Sequence, residues 1–176
     1  MQAPYRWNLR RLHLGFVLDI GCGVGRNLEN LGGRAVGVDH NAKSVEFARQ
    51  AGHSAFTAAE FPTSGFARAG TFDSLLFAHV LEHMGEPDAI ALLREYLPFV
   101  RDGGQVALIT PQERGFRSDP SHVEFMDDVR LARIASALGL HVRRRYSFPF
   151  PRSFGKLFVY NEFVVVAAVT QTPAVS

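Results

Sequence analysis

Short apolar runs alternate with longer amphipathic stretches along the first two thirds of the chain. The run 16–20 is almost continuously apolar and ends at three closely spaced glycines, which predicts a buried strand followed by a tight turn. Helical spacing continues from there to about Leu31, where Gly32 and Gly33 stop it, as glycine does just past a helix end. The pattern therefore predicts a strand–turn–helix unit at the start of the sheet.

The same alternation continues to residue 110 and then changes to a strand-rich tail. Asn41 has the side chain of a helix N-cap. The predicted helices are 41–51, 87–101 and 127–138. The predicted strands are 35–38, 53–57, 72–78, 105–110, 140–146 and 157–169, and irregular connections are expected at 60–71 and 112–121.

Alternating strands and helices favour a parallel sheet that is covered on both faces. Two late strands joined by a long loop fit an antiparallel addition at one edge of such a sheet. We therefore expect an α/β class protein with a doubly wound, mostly parallel seven-stranded sheet and an antiparallel last strand. No repeat or linker divides the sequence, so residues 1–176 are expected to form a single domain.

Composition narrows the class of protein. Hydrophobic residues make up 47% and charged residues 20% of the 176 residues, which is typical of a globular domain. Cys22 is the one cysteine, which excludes an intramolecular disulfide, fits a reducing compartment and predicts a cytoplasmic protein. A net charge of +2 is too small to require a nucleic-acid partner, and no apolar run reaches the roughly 20 residues of a transmembrane helix.

The glycine-rich turn has the spacing D-x-G-x-G-x-G, from Asp19 to Gly25. A dinucleotide-binding fingerprint needs a small residue at position 26, where Arg26 stands. An acid two residues before the first glycine suits a cationic ligand group better than a pyrophosphate. Asp39, at the end of the second predicted strand, stands where an acid can accept hydrogen bonds from ribose hydroxyls.

These residues carry a resemblance to a known family. Residues 17–25 resemble the first motif of class I S-adenosylmethionine-dependent methyltransferases, in their small bacterial-type form, and residues 37–41 resemble the ribose-binding turn of that family. Residues 72–83 resemble its fourth-strand motif, and residues 97–104 its approach to the fifth strand. The resemblance covers positions 16–111 in the order and spacing of the family.

The resemblance implies that S-adenosylmethionine is the cofactor. Backbone around Gly21 and Gly23 should then hold its methionine part, with Asp19 near the ammonium group and Asp39 at the ribose. At the adenine the family often has an acid followed by alanine, whereas this chain has Ala59-Glu60, so Glu60 is a displaced counterpart or the contact is made by backbone alone. The expected cofactor-binding residues are Asp19, Gly21, Gly23, Gly25, Asp39, His40, Ala59, Glu60 and His79.

Three histidines stand where strand ends should converge. A hydroxyl acceptor gains from a base that removes its proton, and histidine has a suitable pKa. His79 and His83 come after the fourth strand, and His122 lies in the loop after the fifth. We expect His79 or His122 to be the catalytic base, whereas Glu82-His83 is expected to cap a turn.

A metal site is the alternative for the same residues. The spacing from His79 to His83 resembles the E-x-x-E-H metal motif of ubiquinone-biosynthesis O-methyltransferases and small-RNA 2′-O-methyltransferases, with His79 in place of the first glutamate. With Glu82 and His122, such a site would suit zinc, iron or manganese better than magnesium. The primary expectation is a site without metal.

The residues after the fourth strand narrow the choice of acceptor. Methyltransferases of this family that act on the amino groups of adenine or glutamine often carry an Asn/Asp-Pro-Pro-aromatic motif there, whereas residues 78–81 read Ala-His-Val-Leu, which disfavours those substrates. No added nucleic-acid domain is present, so a nucleic-acid substrate is not expected. The expected function is O-methylation of a small-molecule, sugar or glycolipid hydroxyl. The alternatives are a metal-assisted RNA 2′-O-methyltransferase and a non-catalytic cofactor-binding subunit. Both a homodimer and a complex with a partner subunit are compatible with the sequence.

Overall fold

The computed structural model describes residues 3–170, in which one sheet of seven strands carries helices on both faces. The strands are β1 (Val17–Ile20), β2 (Ala35–Asp39), β3 (Ala55–Thr57), β4 (Phe72–Ala78), β5 (Val100–Pro111), β6 (His141–Phe148) and β7 (Glu162–Ala168). The helices are α1 (Ala3–Arg11), α2 (Arg26–Asn30), α3 (Ala42–Gln50), α4 (Glu86–Tyr96), α5 (Glu113–Phe116) and α6 (Asp128–Ala137).

The strand order is β3-β2-β1-β4-β5-β7-β6. Strands β1 to β5 pair in parallel, and β7 is antiparallel to both β5 and β6. This confirms the predicted fold class. Because β2 lies on one side of β1 and β4 on the other, the order in which strands are added to the sheet reverses at β1, and the turns after these parallel strands border a crevice at the carboxyl edge of the sheet.

Two apolar layers hold the sheet, one on each face. Successive residues of a strand point to opposite faces, so Leu75 belongs to the layer that contains Leu93 of α4, whereas Leu76 belongs to the layer that contains Leu28 of α2. Every residue of β1, β2 and β7 is buried. The sheet is thus a rigid base for the turns at its carboxyl edge.

Several predicted boundaries differ from the observed ones. The helix expected over 87–101 ends at Tyr96, because Pro98 has no N–H to continue it and residues 97–99 tighten into a 3-10 turn. Strand β5 then begins at Val100, five residues before the prediction. The predicted N-cap of α3 is confirmed, since the Asn41 side chain accepts hydrogen bonds from the backbone N–H groups of the next turn.

The first helix, α1, has no counterpart among the predicted elements. It packs against the last strands: Tyr146 donates its hydroxyl hydrogen to Asn8 Oδ1 at 2.7 Å, and Trp7 stacks on Phe148. Tyr5 donates to the carbonyl oxygen of Tyr160 at 2.6 Å. None of the helices in residues 3–170 has the length and apolar character needed to cross a membrane.

Candidate active site

The glycine turn after β1 is tied to β2 by its backbone. The N–H groups of Gly21 and Cys22 both donate to the carbonyl oxygen of Val38, at 2.7 and 3.2 Å. Gly21, Gly23 and Gly25 have φ angles of 74°, 52° and 90°, a left-handed conformation that residues with a Cβ adopt at a cost. The sequence therefore needs glycine at each of these positions.

The glycines differ in what surrounds them. A Cβ at Gly21 would overlap the side chain of Val80, in the turn after β4, and a Cβ at Gly25 would lie 2.8 Å from the His53 ring. At Gly23 a Cβ would have no atom within 4 Å. The backbone at Gly23 consequently borders open space into which a ligand can approach closely.

Asp39 joins this turn to the start of α3. Its Oδ2 accepts a hydrogen bond from Gly23 N and its Oδ1 one from Asn41 N, both at 2.8 Å. Each oxygen keeps a second lone pair for a ligand hydroxyl. His40 lies beside it with a side chain that is 93% exposed and Nδ1 3.5 Å from Asp39 Oδ1. The structure thus brings together Asp39, His40 and Gly23, three of the residues predicted to bind the cofactor.

Asp19 is a buried carboxylate beneath the glycine turn. Neither of its oxygens accepts a hydrogen bond within residues 3–170. Burial raises the pKa of Asp19 to about 8, since it disfavours the charged form. The nearby Asn27 amide makes no hydrogen bond of normal geometry to Asp19 and offsets only part of this rise. A cationic group above it would supply the missing partner.

Glu60 lies in the turn after β3, and its carboxylate stabilises that turn. Its carboxylate accepts from Thr57 N at 2.8 Å and pairs with Arg49 at 2.7 Å. The backbone hydrogen bond from Thr57, followed by the one from Arg49, lowers the pKa of Glu60 to about 2. Ala59 is exposed in the same turn. Both residues lie at the carboxyl edge, where β3 neighbours β2, and the short contacts of Glu60 from Thr57 and Arg49 are both made to its Oε2.

His79 lies between two carboxylates at the end of β4. Its Nε2 is 2.6 Å from Glu162 Oε1 and its Nδ1 is 3.3 Å from Glu82 Oε1. Burial opposes protonation, but these carboxylates outweigh it and raise the pKa of His79 to about 10. An imidazole that stays protonated at neutral pH does not accept a proton, so this environment disfavours His79 as the base.

Glu162 is a site residue that the sequence did not predict. It stands 83 positions after His79 and enters the site as the first residue of β7. The signal in the sequence is a single carboxylate at the start of an otherwise apolar strand. Only the pairing of β7 with β5 places that carboxylate beside the end of β4.

Glu82 and His122 meet on the other side of His79. Glu82 is fully buried, with no hydrogen bond to either carboxylate oxygen within the described chain. His122 Nε2 lies 4.0 Å from Glu82 Oε1, and its Nδ1 lies 2.7 Å from the carbonyl oxygen of Phe116. The rings of His83 and His122 are 4.8 Å apart between centroids. The structure therefore brings together His83 and His122 around the buried Glu82.

The loop after β5 is fixed against the turn after β4. Val123 N and Glu124 N both donate to the carbonyl oxygen of Glu82, at 2.8 and 3.2 Å. The Glu124 carboxylate in turn accepts from Glu86 N at 2.8 Å. Because two backbone hydrogen bonds and one side-chain hydrogen bond join the loop to this turn, the loop holds His122 in a defined position.

The chain is similar in sequence to one family of enzymes. A family model described as a methyltransferase domain matches residues 18–108, just over half of the 176-residue chain. A search of curated proteins finds no match.

Solved structures with this fold include several methyltransferases. A SAM-dependent methyltransferase from Archaeoglobus fulgidus has a TM-score of 0.70 and 19% identity, covering 96% of this chain and 94% of its own. A complex of the Haloferax volcanii Trm112 methyltransferase activator with a methyltransferase matches with a TM-score of 0.69 and 16% identity, and the match covers 97% of this chain and 92% of the other. Magnesium protoporphyrin IX methyltransferase from Synechocystis, with bound SAH, has a TM-score of 0.65 and 19% identity, and the match covers 93% of this chain and 79% of the other. At these identities the shared feature is the fold.

Proposed function

The chain belongs to the methyltransferase domain family and is an S-adenosylmethionine-dependent methyltransferase, and from that premise we propose that it methylates a hydroxyl group of a small molecule, sugar or glycolipid. Membership of this family implies the cofactor. The groups that surround the open edge of the sheet indicate the kind of acceptor.

The residues of this chain fit S-adenosylmethionine. Asp19 is a buried acid without a hydrogen-bond donor, which suits an ammonium group, and Gly23 borders open space at the same turn. Asp39 holds that turn and keeps lone pairs for ribose hydroxyls. His40 and the exposed Ala59 lie further along the same edge, beyond the ends of β2 and β3. Glu60 makes a weaker case as an adenine contact, because Arg49 and Thr57 already use its carboxylate.

When bound, the cofactor would supply a methyl group on a sulfonium: the O–C bond forms as the S–C bond breaks, the electron pair of that bond stays on sulfur, and the hydroxyl proton passes to a base of the chain, a role that we assign to His122. The chain must therefore orient the hydroxyl in line and manage its proton. The observation that carries the proposal is the group formed by Glu82, His83 and His122, which lies beyond β4 and β5 at the same edge as the glycine turn. His79, protonated between Glu162 and Glu82, is assigned to holding this group together.

A partner protein is the second proposal, favoured by one structural relative. The Haloferax volcanii structure is a complex of a methyltransferase with an activator. A subunit of that kind would bind cofactor alone and transfer methyl groups only with its partner. Separate measurements of cofactor binding and methyl transfer distinguish this case from an enzyme that acts alone.

The test has two steps on the purified chain. Calorimetric titration with S-adenosylmethionine and S-adenosylhomocysteine measures cofactor binding. Transfer of labelled methyl is then measured with sugars, phenols, a glycolipid, matching amines and an RNA oligonucleotide. We expect label on oxygen of the hydroxyl compounds. Label on nitrogen would contradict the acceptor class, and label on RNA alone would favour RNA 2′-O-methylation.

Variants assign the transfer to the site. His122→Ala should lower turnover by about 10²–10⁴-fold and leave the affinity for S-adenosylhomocysteine unchanged. His141→Ala, which changes an exposed histidine of β6, is the matched control and should retain full turnover. Equal turnover in both variants would remove the histidine group from the mechanism.

A further inference from the structure

Three side chains that are good metal ligands converge at the carboxyl edge of the sheet. Glu82, His83 and His122 each offer one ligand atom, and these atoms lie within 4.8 Å of one another. We propose that they bind one divalent transition-metal ion of the zinc class and leave a coordination position open toward the acceptor. The binding of the ion is independent of the proposed function, on which only its role in methyl transfer rests.

The buried state of Glu82 points to a missing cation. Its side chain is fully buried, and neither oxygen accepts a hydrogen bond within residues 3–170. Its approach to His79 Nδ1, at 3.3 Å, lacks hydrogen-bond geometry, and His79 makes its short contact with Glu162 instead. A buried carboxylate without a partner is costly, and native proteins pair such groups or use them to coordinate metals.

Both histidines are oriented as metal ligands are. His122 Nδ1 lies 2.7 Å from the carbonyl oxygen of Phe116, so Nδ1 carries the hydrogen and Nε2 keeps a free lone pair on the side of Glu82. His83 Nδ1 lies 3.3 Å from the carbonyl oxygen of Ser121, which fixes the same tautomer. Backbone carbonyls commonly orient ligating histidines in this way.

The spacing and chemistry favour zinc over magnesium. Ligand atoms around a tetrahedral zinc ion with bonds of about 2.0–2.1 Å are about 3.3 Å apart, so the ligand atoms of these side chains need to approach one another by up to about 1.5 Å. His83 is exposed and contacts Ser121 at 3.2 and 3.3 Å, so its ring is the one that would move, together with the loop that carries Ser121. Two imidazoles with one carboxylate form a set that binds zinc, iron or cobalt, whereas magnesium prefers oxygen ligands. Three protein ligands also leave a position for substrate, as in catalytic zinc sites.

The ion would change the role of His122. A divalent cation lowers the pKa of a hydroxyl or water that it contacts. The acceptor's proton would then leave to solvent, and His122 would act as a ligand and not as a free base. His79 is outside the ligand set because its Nε2 is hydrogen-bonded to Glu162 and its Nδ1 faces Glu82, which is itself one of the ligands. From the sequence alone, the primary expectation is a site without metal. The metal site that the sequence offers as an alternative contains His79 as well as His83 and His122, whereas the set proposed here leaves His79 out.

The test measures metal binding without cofactor or acceptor. The untagged 176-residue chain is stripped with a chelator and titrated calorimetrically with ZnCl₂, with CoCl₂ and with MgCl₂. The absorption spectrum of the cobalt form reports nitrogen ligation and coordination geometry. We expect one zinc ion per chain, a matching cobalt site and no binding of magnesium. His83→Ala, which alters an exposed side chain, and Glu82→Gln should each weaken zinc binding by at least about tenfold.

His141→Ala is the control and should bind zinc with wild-type affinity. Zinc should also raise the midpoint of thermal unfolding of the wild type but not of His83→Ala. Absence of zinc binding to the wild type, or equal binding by the wild type and His83→Ala, would overturn the proposal even if Glu82→Gln failed to fold. A chain that binds no metal but methylates hydroxyl compounds would retain the proposed function and lose only the metal site.

Discussion

The Nε2 atom of His79 lies 2.6 Å from Oε1 of Glu162, so the turn after β4 is joined to the first residue of β7. The other ring nitrogen of His79 faces Glu82 at 3.3 Å. One imidazolium thus stands between two buried carboxylates. His79 has a φ of 60°, a conformation that is uncommon for a residue with a side chain and is held here by contacts on both sides.

Removal of His79 should therefore destabilise the fold. His79→Ala leaves Glu162 without its hydrogen-bonded partner and removes the positive charge beside Glu82, and we expect a loss of about 1–3 kcal/mol in the free energy of unfolding. The His79 side chain is 47% exposed, which keeps the effect below that of a fully buried ion pair. Urea denaturation measures it, with His141→Ala as the control. Adding Glu162→Gln to His79→Ala should recover part of the loss, and additive effects would argue against the pairing.

Asp19 should make stability depend on pH. Its pKa rises from 3.8 in the unfolded chain to about 8 in the folded one, because burial disfavours the charged form. Between these values only the unfolded state ionises, so stability falls as pH rises, by up to about 1.4 kcal/mol per pH unit for one proton. Below pH 4 and above pH 8 this contribution no longer changes.

Asp19→Asn removes that titration. The stability of the variant relative to the wild type should therefore increase between pH 5 and pH 8, as measured by urea denaturation at both values. Asp102→Asn, which changes an exposed aspartate, should show no such trend. A difference between Asp19→Asn and wild type that is independent of pH would show that Asp19 is ionised in the folded protein.

The sequence predicted the parts of the site that are local in the chain. The glycine turn, Asp39 at the end of β2 and the Asn41 cap each result from spacing within a few residues, and the structure places them as expected. Glu162 could not be assigned in this way, because its position depends on the pairing of β7 with β5. The protonated state of His79 likewise depends on two carboxylates that come from different elements.

Two glycines of the turn should respond differently to the same substitution. Gly23→Ala should cost about 1–2 kcal/mol of stability through its left-handed φ of 52°. Its methyl group would enter the open space beside the turn, so affinity for S-adenosylhomocysteine should fall by more than about tenfold. Gly21→Ala has the same backbone cost and should lose roughly a further 1–3 kcal/mol of stability, because its methyl group would overlap the Val80 side chain.

The double variant Gly21→Ala/Val80→Ala tests the cause of that further loss. Truncating Val80 removes the overlapping atoms, so this variant should be more stable than Gly21→Ala alone. Thermal unfolding measures the stabilities of Gly23→Ala, Gly21→Ala and the double variant, and calorimetry measures their affinities for S-adenosylhomocysteine. If Gly23→Ala bound S-adenosylhomocysteine as tightly as the wild type, the open space at Gly23 would not be part of the cofactor site.

Asp39 should affect the cofactor both directly and through the turn. Asp39→Ala leaves the N–H groups of Gly23 and Asn41 without their acceptor and removes the carboxylate offered to the ribose. A lost partner of this kind costs about 1–3 kcal/mol, which corresponds to roughly a 5- to 150-fold loss of affinity for S-adenosylhomocysteine. Asp39→Asn keeps one carbonyl acceptor and should lose less, while Asp102→Ala should bind normally. Calorimetric titration measures all three, and unchanged affinity in Asp39→Ala would contradict the ribose assignment, because no other acid lies at the end of β2.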